Sequence, residues 1–131
     1  MSVVLSGSNI TKKASITIPD VESICIINNK GRIIEEIGVN TIRLLNYKKE
    51  MFLMGIALLH SMQKDFDEEV EPVEYSLTKR GNAKFISVPM PNGTIILVVA
   101  KKHADHEKIV DWIIHMINGT EEILGEKLRV E

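Results

Sequence analysis

The first half of the chain alternates short β-branched runs with turn residues and then gives way to a helical period. Ile24, Cys25, Ile26 and Ile27 form one run, and Asn28-Asn29-Lys30-Gly31 follows as a turn, since Asn and Gly tolerate the positive φ of tight hairpins. Residues 32–37 return as a second strand with Ile33, Ile34 and Ile37 apolar, ended by Gly38 and Asn40. Residues 46–66 predict a long helix, with Asn46 as its N-cap and Glu50 near the positive end of its dipole. On that helix Tyr47, Met51, Met54, Leu58 and Met62 share one stripe, and Phe52, Ile56, Leu59 and Phe66 share the next.

Asp65, Asp67, Glu68, Glu69 and Glu71 predict an acidic loop leading to Pro72. Three strands are expected after it. Residues 73–79 place Val73, Tyr75 and Leu77 on one face, and Arg80-Gly81-Asn82 turns the chain. Residues 84–89 form the next strand, which Pro89 and Pro91 should end. Asn92-Gly93 is a strong turn signal, and the nearly continuous apolar run 94–100 suits a strand buried on both faces. Residues 104–118 predict a closing helix with Asn118-Gly119 as its C-cap, and 120–124 a final short one.

The order is strand, strand, helix, three strands, helix. Hairpin connections force mostly antiparallel pairing. The expected fold class is α/β in the α+β sense: a five-stranded antiparallel sheet with helices packed on it. Residues 1–19 read as an extended or flexible segment, because Ser15-Ile16-Thr17-Ile18 alternates before Pro19; residues 20–131 read as one domain.

Composition narrows the function classes. With 44% hydrophobic residues the chain can build a core without disulfides or metal, and a formal charge of -2 argues against nucleic-acid binding. The single cysteine, Cys25, excludes an internal disulfide and suits a reducing, cytoplasmic setting. The longest apolar runs are too short to span a bilayer, so no membrane partner is expected. Glycosylation sequons at Asn9, Asn92 and Asn118 carry little weight without an export signal.

A search for chemistry finds each candidate incomplete. His103 and His106 are three apart, but no clear third and fourth metal ligand accompanies them; with Asp105 and Asp111 they read as the capped start of a helix. His60 and His115 fall within helices and read as solvent-facing or interfacial. Cys25, among isoleucines, reads as a packed thiol, without the base a nucleophile needs. The acidic loop lacks the alternating ligands and central glycine of a calcium loop. Lys79, Arg80 and Lys84, with Lys101 and Lys102, read as solvated strand ends that could also meet an acidic partner. No catalytic residue, cofactor or metal is expected.

The informative feature is the long helix, whose apolar face is wider than one sheet contact needs. Its methionines adapt to contact surfaces, and Gly55 in mid-helix costs about 1 kcal/mol relative to alanine while permitting close backbone approach. Tyr47, Met51, Met54, Gly55, Leu58 and Met62 are therefore the expected interface.

The hairpin from Ile24 to Ile34, with its polar turn and glycine, resembles the first hairpin of roadblock / dynein-light-chain domains. The stretch from Tyr75 to Val99 is similar to that family's meander, and the helix from Ala104 matches its closing helix. Profilin-like and longin-like domains share much of this order. The resemblance departs at residues 1–19, where roadblock domains usually open with a helix. It implies a non-catalytic scaffold, homodimeric or heterodimeric, or a regulator of a small GTPase, with the interface on the long helix and the edge strand. Two other functions fit the element order: a PAS- or GAF-type sensor, which needs a hollow core with convergent polar groups, and an enzyme using His103 and His106.

Overall fold

The computed structural model describes residues 20–38 and 44–116. The expectations for residues 1–19 and for the short helix at 120–124 lie outside them. Five strands form one sheet: β1 (Val21–Ile27), β2 (Ile33–Gly38), β3 (Ser76–Arg80), β4 (Ala83–Pro89) and β5 (Ile95–Lys101). Their lateral order is β2-β1-β5-β4-β3, and every neighbouring pair is antiparallel. The long helix α1 (Asn46–Lys64) and the short α2 (Asp67–Val70) connect β2 to β3. A third helix, α3, occupies residues 106–116 of the described chain.

The sheet is the middle of three layers. Ile95, Leu97 and Val99 of β5 join Cys25 and Ile27 of β1 beneath Leu53 and Ala57 of α1. Ile96, Val98 and Ala100 point the other way, with Ile24, Ile26, Ile86 and Val88, onto Ile109, Val110, Ile113 and Met116 of α3. β5 is thus covered on both faces, as its unbroken apolar run predicts. Each fully buried Ile, Leu or Val side chain contributes roughly 1.5–3 kcal/mol. Both faces of the sheet are filled by apolar side chains, so the PAS- or GAF-type reading, which requires a hollow core, finds no support in the core.

The first hairpin closes through Asn28. Its Oδ1 accepts from the backbone N–H groups of Lys30 and Arg32, each at 2.9 Å, and Gly31 takes a φ of +82°. β2 is tied to α1 by an ion pair between Lys49 Nζ and Glu36 Oε2 at 2.9 Å. On the other flank the Phe52 and Phe85 rings meet edge to face, 5.4 Å between centroids, with the Arg80 guanidinium 5.9 Å from the Phe52 ring.

Five local expectations are corrected. The cap of α1 falls on Leu45, one residue before Asn46, and among the described residues no side chain caps it. The helix stops at Lys64 instead of reaching Phe66, and the acidic loop contains the short α2, whose first turn carries Asp67, Glu68 and Glu69. β3 begins at Ser76 instead of Val73. Ser76 pairs with Ser87, so a longer β3 would set Glu74 against Pro89, which has no N–H to give. The last helix begins at residue 106 instead of 104, where the Asp105 carboxylate accepts from the Lys108 N–H at 3.2 Å, the capping read from the sequence.

Candidate interaction surface

The sheet side of α1 is a narrow line: Leu53, Ala57 and His60 are buried, and Phe52 and Ile56 are partly buried beside them. Leu53 and Ala57 belong to neither stripe read from the sequence. With that line against the sheet, the helical period turns the first stripe to the surface. Tyr47, Met51, Met54, Leu58 and Met62 are all between 56% and 66% exposed. Gly55 lies on the same surface, and a Cβ added to it would meet nothing within 4 Å among the described residues.

The patch extends beyond those six residues. Leu44 and Leu45 before the helix, Leu59 within it, and Phe66 and Val70 after it are also exposed. Leu59 and Phe66 were legible as a second stripe, but periodicity did not show that this stripe also turns outward at its C-terminal end.

Among the described residues β3 lies at one edge of the sheet and pairs with β4 alone. Leu77, Thr78, Lys79 and Arg80 along it are exposed. Charge is divided along this strand. Glu68, Glu69, Glu71 and Glu74 precede it, all exposed, and Lys79 and Arg80 end it. Lys84 meets partners near the same end: its Nζ donates to the Ala104 carbonyl at 2.8 Å and lies 3.1 Å from His106 Nδ1.

The other candidates are placed apart from this surface. His103 Nε2 lies 3.5 Å from Asp20 Oδ1, while His106 faces Lys84 and Tyr75, so the two histidines do not share a partner. Among the described residues, no three His, Cys, Asp or Glu side chains converge as metal ligands. His115 is exposed. His60 is corrected: it is buried under α1, with Nε2 2.8 Å from Ser87 Oγ on β4, and burial holds its imidazole below the usual pKa. Cys25 is a packed thiol, as expected. Burial first, and then the charge of Glu36, push it up to about 12 against the opposing pull of Lys49.

The sheet order, the long helix across one face and the closing helix across the other decide the likeness to solved structures. A roadblock/LC7 domain from Streptomyces avermitilis superimposes with a TM-score of 0.61 at 14% identity, covering 81% of this chain and 87% of that one. The MglB of Myxococcus xanthus gives 0.64 at 9% identity, covering 91% of each chain. The fold is that of a roadblock/LC7 domain. An MglB in a tetrameric arrangement shares the roadblock fold equally well, at 0.64 and 9% identity over 95% of this chain and 96% of that one. No protein-family model matches the sequence, nor does any curated protein. The expected patch therefore lies on the long helix between the second and third strands of a roadblock sheet. None of the helices among the described residues is long and apolar enough to cross a membrane.

Proposed function

We propose that this chain is a non-catalytic, homodimeric interaction domain that acts as a scaffold for, or regulator of, a small GTPase or a related complex. The observation that carries the reading is the outward apolar face of α1, from Tyr47 to Met62. Its large side chains stay more than half exposed although the helix has already filled its side of the sheet. Contiguous exposed apolar surface of this kind marks association sites. Met51, Met54 and Met62 suit it, because an unbranched thioether conforms to a partner's surface. Gly55 supports close approach there, since none of the described residues stands over it.

The open edge of β3 and its divided charge support a second copy as partner. Two β3 strands paired antiparallel about a two-fold would set Glu71 and Glu74 of one copy towards Lys79 and Arg80 of the other. The small-GTPase part rests on the roadblock fold shared with MglB.

Light scattering of the purified chain at micromolar concentration tests the dimer. A dimer is expected for the native sequence and a folded monomer for Met54→Glu. A native monomer, or a dimer untouched by Met54→Glu, overturns the reading. Affinity capture in the presence of GDP or a GTP analogue tests the regulator role, with nucleotide-dependent retention of a small GTPase expected.

A further inference from the structure

The C-terminal half of α1 walls a cleft that the interaction surface does not use. Ala57, His60 and Gln63 form its helical side. Pro72 and Val73 stand on one flank, and Pro89, Pro91 and Thr94 on the other. The volume is about 490 Å³, within the range of small-molecule sites. Ala57 and Ile95 of the core cluster under α1 share in its lining, and it lies on the opposite side of α1 from Met51, Met54 and Leu58.

Its polar groups have unused capacity. His60 is only 8% exposed and is held by Ser87 through Nε2, while Nδ1 has no hydrogen-bond partner among the described residues. The Ser87 hydroxyl can donate or accept, so Nδ1 can take either role in turn. Gln63 Oε1 is buried without a donor among the described residues. An unpaired buried acceptor of this kind costs about 1–3 kcal/mol. The terminal amide of a glutamine turns on a soft torsion, so a donor entering the cleft could be met by Oε1 after a small rotation. The three proline rings offer flat apolar walls.

From this geometry we infer that the cleft binds a small neutral carboxamide carrying a planar ring. The amide N–H donates to Gln63, the amide group exchanges a second hydrogen bond with His60 Nδ1, and the ring lies between Pro72 and the Pro89–Pro91 wall. Lys64 and Asp67 at the rim carry opposite charges and give no preference for a charged ligand. The inference stands independently of dimerisation.

Titration of the full chain with benzamide, followed by amide chemical shifts, is the test. Saturable shifts at Ala57, His60, Gln63 and Thr94 are expected. N,N-dimethylbenzamide, which has no N–H, should bind at least about tenfold more weakly, as should benzamide to Gln63→Met, because each loses a hydrogen bond to a buried group. Absence of saturable shifts at these residues overturns the inference. So does equal binding of the two amides, or benzamide affinity unchanged in a folded Gln63→Met.

Discussion

Gly31 and Met54 are in backbone contact: a Cβ on Gly31 would stand 2.6 Å from both the Cα and the N of Met54. The first hairpin turn thus sits directly on the helix that carries the exposed face. Gly31 also has a φ of +82°, in the left-handed region that L side chains avoid. Two independent constraints therefore act on one residue. Gly31→Ala should destabilise the fold by at least about 2 kcal/mol, from left-handed strain and displacement of α1 together. Urea unfolding measures it; a midpoint equal to the native one would show that the turn is free to move away from the helix.

His60 makes stability depend on pH. Its imidazole is held below the unfolded value of 6.5 by burial. Above that pH both states are neutral and the full stability is present. As the pH falls through 6.5 the unfolded chain takes up a proton that the folded chain resists, so stability declines until the lower, folded pKa is passed. The charged groups beside it at the cleft rim are Lys64 and Asp67. The native chain should lose more stability between pH 7.5 and 5 than His60→Leu does, in denaturant midpoints taken at both values. Equal losses would mean that His60 opens to water. Ser87→Ala should cost about 1–3 kcal/mol at neutral pH by removing the partner of Nε2.

Cys25 should resist alkylation. Its thiol is buried under α1 and its pKa is pushed up to about 12, so little thiolate exists near neutral pH. Iodoacetamide at pH 8 should label the chain only as fast as it unfolds, and fully in denaturant. Rapid labelling of the folded chain would contradict the packing of α1 over β1.

The divided charge along β3 predicts a charge-reversal experiment. Lys79→Glu with Arg80→Glu should weaken the proposed dimer by about tenfold at low salt, as several exposed pairs of a few tenths of a kcal/mol turn repulsive. Adding Glu71→Lys and Glu74→Lys should restore it. Sedimentation at two salt concentrations reads both effects. Dimerisation indifferent to all four changes would place the contact away from the β3 edge.

Much of this architecture is visible in the residues alone. The apolar run of β5, the hairpin glycine Gly31 and the helical period from Tyr47 to Met62 each report a local rule: an unbroken apolar stretch of strand length, positive φ, or a 3.6-residue turn. These rules act within a few residues, so element order and antiparallel pairing can be read directly. They also placed the six expected interface residues on one helix face.

What only the tertiary structure decided is which groups meet across the sheet. The long-range pairing of β1 with β5 sets β3 at an open edge and brings Ser87 beneath α1. Leu53 and Ala57 took the inward line, with His60 at its end, because that side fits the space above Cys25, Ile27 and Leu97. Periodicity shows that a helix has apolar stripes, but not which of them the sheet will cover. That choice follows from the shape of the sheet, and it left the wide stripe of α1 facing outward.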